Sequence, residues 1–248
     1  MKKIIATILG INLSVFAFST SSISLLNGKF DGNSAVYDTQ GGGNKTTMTF
    51  ETLTKGNVGD VFFFADFCKT SDGQLYNSTN KQWIYAEVAP RLSLSYLTNT
   101  DLSSSFVKDY FIATQYNYGD NSDFRASLVG LGTDLNVPGF DYFQANLYYR
   151  HVDLTIGTTD YERDTYQFTP VYGTKFGNSG FSFKGFVDLT GYNLGTQNQL
   201  LYDLFKIEGK PVQVGVEHLY YYEFKNDFTS SNPHVHTNVL QAMIKINW

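Results

Sequence analysis

One stretch of this chain limits its possible folds more than any other. Over residues 238–248 it alternates with period two: Asn238, Leu240, Ala242, Ile244, Ile246 and Trp248 make a mostly apolar face. Gln241, Lys245 and Asn247 stand between them, with Val239 and Met243 the apolar exceptions. Alternation of this kind marks a strand whose two faces meet different surroundings. An exposed ring such as Trp248 is badly placed in water but well placed at a membrane interface, where β-barrels carry aromatic girdles. The strand therefore predicts an outer-membrane β-barrel, and the rest of the chain can be tested against that.

Composition agrees. The 248 residues include 18 Tyr and 21 Phe, and 17% are aromatic, a share that soluble domains rarely need and two girdles do. The mean hydropathy of -0.23 would ordinarily suggest a soluble protein. A barrel escapes that inference because half of each strand faces a polar lumen. Beyond the N-terminus nothing approaches the roughly 18 apolar residues of a membrane helix. The formal net charge of -5 comes with no basic stripe, which argues against nucleic acid as a partner. Cys68 is the single cysteine, so no internal disulfide is expected. The four histidines show no metal-ligand spacing, and no cofactor or metal is implied.

The first residues read as a secretory signal. Lys2 and Lys3 precede a largely apolar run over 4–18, and Ala17-Phe18-Ser19 puts small residues where signal peptidase reads them. The expected division is a signal peptide over 1–19 and a barrel over 20–248. The alternative, a membrane anchor, is opposed by the shortness of the run and by polar Thr7, Asn12 and Ser14 within it.

Segments of about ten alternating residues recur between clusters of Gly, Asn, Asp and Ser, giving an all-β transmembrane antiparallel barrel of about twelve strands. They are expected near 21–31, 44–53, 58–68, 83–96, 106–118, 124–135, 141–153, 163–172, 181–192, 199–207, 211–224 and 236–248. An even number returns both ends to one side, as single-chain bacterial barrels require. Links at 54–57, 136–140 and 208–210 are tight, and those at 32–43, 69–82, 193–198 and 225–235 are longer and polar. Short periplasmic turns and longer external loops are expected of such a barrel; the 97–105 link is long for a periplasmic turn.

Parity assigns the faces. In the fourth strand Trp83, Tyr85, Glu87, Ala89, Arg91, Ser93 and Ser95 share one side, and Ile84, Ala86, Val88, Pro90, Leu92, Leu94 and Tyr96 the other. The second belongs in lipid, because a charge there costs a few kcal/mol near the midplane. The same test sends Glu51, Asp60, Asp66, Asp109, Arg150, Arg163, Lys184, Asp188, Glu217 and Lys245 inward, and Met48, Phe67, Leu147 and Phe168 outward. A soluble sandwich would also alternate, but its inward face would be the apolar one.

Residues 87–103, EVAPRLSLSYLTNTDLS, followed by Lys108-Asp109-Tyr110-Phe111, closely resemble the Tsx family of nucleoside-specific outer-membrane channels, which includes the vibrio OmpK phage-receptor porins. Gly130-Leu131-Gly132-Thr133-Asp134 and Asn146-Leu147-Tyr148 are similar to the family's middle strands. Asp60-Val61-Phe62-Phe63-Phe64-Ala65-Asp66 and residues 183–188 carry a weaker likeness, so that the resemblance spans roughly 47–190. It implies a monomeric twelve-stranded barrel in the outer membrane of a Gram-negative bacterium, with a narrow pore that passes nucleosides by passive, selective diffusion. Its OmpK members also imply an alternative: a surface-binding barrel used as a receptor by phage, or another partner such as a colicin, through its external loops.

Twelve strands about 4.8 Å apart and tilted about 40° give a backbone diameter of roughly 24 Å. Inward side chains narrow that to a bore suited to single small polar solutes. The candidate pore-lining residues are Phe30, Glu51, Asp66, Tyr85, Glu87, Arg91, Lys184 and Asp188. Carboxylates can hold ribose hydroxyls and aromatic rings can stack on bases; alternatively, these charges pair across the lumen and merely hold its shape. Glu87 and Arg91 stand about 13 Å apart on one face, so each needs a partner on another strand, water or solute, and losing either is expected to alter passage rather than folding. The 97–105 segment, with Thr98, Asn99 and Asp101, reads as turn scaffold. An enzyme is not expected: His151 and His218 fall on the lipid face by parity, and His234 and His236 lie at the last external link.

Overall fold

The computed structural model describes residues 16–30, 42–71, 81–120, 123–156, 158–224 and 236–248. Twelve antiparallel strands form one closed barrel: β1 (Phe16–Phe30), β2 (Gly43–Gly56), β3 (Gly59–Thr70), β4 (Gln82–Ser93), β5 (Val107–Gly119), β6 (Phe124–Leu135), β7 (Tyr142–Ile156), β8 (Thr159–Lys175), β9 (Phe181–Thr190), β10 (Asn193–Ile207), β11 (Lys210–Glu223) and β12 (His236–Asn247). Each strand pairs with its sequence neighbours, and β1 pairs with β12 to close the ring. The closure is completed by Trp248 and Ser21, which exchange backbone hydrogen bonds of 3.0 and 3.1 Å. The Trp248 ring lies on the outer face, its centroid 6.1 Å from that of Phe50.

Closure without an edge is what lets strands cross lipid, since every backbone donor finds a partner inside the sheet. The side chains follow the expected parity. On β12, Thr237, Val239, Gln241, Met243 and Lys245 are buried inward, and the residues between them are exposed. Exposed apolar side chains, among them Leu25, Met48, Phe67, Leu131, Leu147 and Ile244, form the outer belt. Exposed Tyr110, Phe181, Tyr202 and Trp248 lie toward the end that holds both termini, and Tyr116, Tyr149 and Tyr166 toward the other. These are the two girdles that the aromatic content predicts.

Four connections differ from expectation. The link placed at 193–198 is strand, part of β10, and only Gly191 and Tyr192 separate it from β9. Polar residues there misled because Thr196 and Asn198 bond within the barrel wall, Thr196 Oγ1 to the Phe186 carbonyl and Asn198 Nδ2 to Thr196. The fourth strand ends at Ser93, not 96; Leu94–Thr98 form a helical turn, α1. Ser93 caps α1 by accepting the Tyr96 amide at 3.0 Å, and Asn99 ends it with φ 49. Third, the eighth strand starts at Thr159, four residues earlier than expected. Last, β1 begins at Phe16, five residues before the start expected near 21, and Ser19 pairs with Thr54.

The long links at 31–41, 72–80 and 225–235, His234 and most of the expected signal segment lie outside the described residues. At the opposite end the β2–β3 and β10–β11 turns are tight. Glu208 and Gly209, with φ of 49 and 79, make a two-residue reversal of the type that matches strand twist.

Candidate functional site

The lumen encloses a cavity of about 530 Å³ lined from nearly every strand. Its charged side chains fall into three levels. Nearest the turn end, Arg91 on β4 grips Asp60 on β3 through Nε–Oδ1 at 2.9 Å and Nη2–Oδ2 at 2.5 Å. The same Nη2 lies 2.8 Å from Asp134 on β6, and Lys55 Nζ is 3.6 Å from both carboxylates. The guanidinium also sits 4.2 Å over the Phe111 ring, and Asn146 on β7 accepts from Nη1 at 3.5 Å. Gly132 makes room for that amide, since a Cβ there would lie 2.3 Å from Asn146 Oδ1.

The second level is Glu51. Lys184 Nζ donates to Oε1 at 3.0 Å and Lys245 Nζ to Oε2 at 2.7 Å. Lys245 is on β12, two places from β2 in the ring of twelve, but Lys184 is on β9, five places away. This bridge therefore spans the bore.

Toward the external end stands a third level of carboxylates, each held by neutral donors. Glu87 accepts from Tyr85 at 2.5 Å, Asn117 at 3.0 Å and Gln115 at 2.8 Å. Asp188 accepts from Gln167 at 2.9 Å and Thr169 at 2.6 Å. Glu217 accepts from Gln199 at 2.7 Å and Gln241 at 3.1 Å, and Asp66 from Thr49 at 2.5 Å. Beside them an aromatic ladder climbs the wall, with centroid spacings of 6.0 Å for Phe62–Phe64, 5.9 Å for Phe64–Tyr85 and 6.2 Å for Tyr85–Phe124.

Of the residues expected to line the pore, the structure brings Glu51, Asp66, Glu87, Arg91, Lys184 and Asp188 to the cavity. Tyr85 joins through its bond to Glu87. Phe30 points inward but is 1% exposed and covered by Lys45 Nζ, 3.9 Å from its centroid. Arg91 departs from the sequence expectation: its partners make it a strut between β3 and β6, so its loss bears on stability. Phe62, Phe64 and Asp134 were missed as lumen residues, although parity with Asp60 and Asp66 places the two rings inward. Among the described residues no group of His, Cys, Asp and Glu is arranged to hold a metal. His151 and His218 face outward, bonded to Asp164 and Asn238.

A sequence family described as nucleoside-specific channel-forming protein, Tsx, matches residues 30–206, most of the barrel. The chain belongs to this Tsx family. The OmpK outer-membrane protein of Vibrio parahaemolyticus is 27% identical over 148 residues, 59% of this chain and 56% of its own. The Tsx channel proteins of Escherichia coli O157:H7 and Klebsiella pneumoniae are 32% identical over 139 residues and 30% over 176. Those alignments cover 52% and 65% of this chain and 47% and 58% of the relatives, so the chain spans about half the length of the curated relatives it matches. A solved KdgM porin in complex with disordered oligogalacturonate aligns with 91% of this chain and 98% of its own at 12% identity and a TM-score of 0.44. As a Tsx-family barrel, the protein resides in the outer membrane of a Gram-negative bacterium.

The family-like segment LTNTDLS owes its pattern to local bonding at the turn end. Asp109 accepts from the hydroxyls of Ser93 at 2.5 Å and Ser95 at 2.6 Å, and Ser95 Oγ accepts the Leu102 amide at 3.2 Å. The Ser103 backbone amide donates to Asp101 at 2.9 Å, and with the Ser103 hydroxyl it holds that exposed carboxyl below the usual range.

Proposed function

We propose that the protein is a passive outer-membrane channel selective for nucleosides. The observation that carries this reading is the pairing, on one wall, of a run of aromatic rings with carboxylates: Phe62, Phe64 and Tyr85 run beside Glu87 and Asp66. A nucleoside presents one flat base and a sugar rich in hydroxyl donors. A base stacked on such a ring gains about 1–3 kcal/mol in nucleic-acid sites, and hydroxyls can be accepted by carboxylates whose other contacts are neutral. Sites of that strength admit a solute and still release it, which diffusion through successive positions requires. Membership in a family described as nucleoside-specific supports the same reading.

Liposome swelling with the purified full chain tests it. Nucleosides are expected to enter faster than sugars of equal size; equal rates would remove the claim of selectivity.

A further inference from the structure

We propose that the lumen sorts solutes by charge in two successive layers, a carboxylate belt and a lysine crossbar, which together hold back ions of either sign and pass uncharged polar molecules.

The crossbar is the Lys184–Glu51–Lys245 bridge. From β2 to β9 is five steps of the twelve-membered ring, so the Glu51–Lys184 contact at 3.0 Å follows a chord close to the full diameter. Beside it Leu26, Leu201 and Met243 of β1, β10 and β12 pack together, all buried. The cavity reaches both sides of the bar, with Phe62, Phe64, Ala89 and Asn146 lining one side and Leu26, Gln199 and Gln241 the other. Two ammonium groups share one carboxylate, so the bar is formally one positive charge in excess.

The belt lies toward the external end. On β9 Asp188 is four residues beyond Lys184, about 13 Å along the strand. Asp66 is two residues beyond Phe64, the register partner of Glu51. Glu87 is within electrostatic reach of Asp188, Asp66 and Arg150, and Glu217 completes the set. Four carboxylates against the Arg150 guanidinium and the Lys45 ammonium, which is within electrostatic reach of Asp66 and Glu217, leave the belt formally negative by two.

Rings of carboxylates favour cations, and rings of lysines favour anions. Placed in series in a narrow passage they select against both, because the ion that one layer attracts is repelled by the other. An uncharged solute meets no such barrier and finds acceptors in the belt and donors in the bar. This inference is independent of the nucleoside reading, since no nucleoside enters its test.

The test is reversal potential and conductance of the purified full chain in planar bilayers under a KCl gradient. Lys184→Gln opens the chord and removes a positive charge from the bar, leaving the belt intact; K⁺ conductance should rise several-fold and selectivity move toward cations. Glu87→Gln with Asp188→Asn weakens the belt and should move selectivity toward anions. Because the two act on different strands, either alone can decide if the other fails to assemble. Unshifted reversal potentials in assembled protein, or shifts of the same sign, would overturn the proposal.

Discussion

Glu87 and Arg91 share one face of β4, four residues apart, and turn to entirely different partners. Glu87 is bound by Tyr85, Gln115 and Asn117, all neutral, and Arg91 by Asp60 and Asp134, both charged. One wall thus holds a carboxylate bonded to neutral groups beside a guanidinium bonded to charged ones.

Arg91→Ala should therefore destabilise the barrel. Asp60 is 6% exposed, and removing one member of a buried ion pair costs about 3–5 kcal/mol, a loss that Lys55, 3.6 Å from Asp60 and Asp134, offsets in part. A lowered denaturant midpoint after refolding into vesicles would show it. Arg91→Lys should recover part of the loss, being charged but unable to bond Asp60 in the same two-point manner.

Glu87→Gln should leave assembly intact, since an amide can fill the same space and keep part of the bonding. Nucleoside entry should fall, because the replaced oxygen no longer carries charge to hold a hydroxyl. Swelling assays beside heat-modifiable gel mobility separate the two effects; a variant that lost mobility and flux together would place Glu87 with the scaffold.

Phe64→Ala removes the centre of the ring ladder. If a base stacks there, the loss is about 1–3 kcal/mol, roughly 5- to 150-fold in affinity. Nucleoside block of ion current, titrated by concentration, measures it. Leucine at this position should restore volume without restoring block.

Leu147→Arg places a charge on the outer face, where Leu147 is 57% exposed. The expected cost is about 2–4 kcal/mol near the midplane, read as reduced folding yield in vesicles. Trp248→Ala should be milder, near 1 kcal/mol, the scale of one aromatic pair.

How much of this was legible beforehand follows from the physics of strands. Period two tells which face a side chain occupies, because successive residues must point oppositely; inward Asp66, Glu87 and Lys184 and outward Leu147 and Phe168 were readable from that alone. Turn residues gave the twelve strands, but the start of the tenth was misplaced at 193–198, where Thr196 and Asn198 look like a loop until their bonds to the wall are seen. Parity would also have placed Phe62 and Phe64 inside, had aromatic residues been weighed for the lumen as charged ones were.

What the sequence by itself determined is the alternation, the membrane as solvent and the side of the wall each residue faces, since these depend only on neighbours along the chain. Tertiary structure alone decided which inward charges meet. Lys184 and Glu51 are separated by 133 residues, and their contact depends on the stagger that accumulates around a closed ring of tilted strands. Face is a local property of a strand; height in the bore and the partner across it belong to the closed barrel.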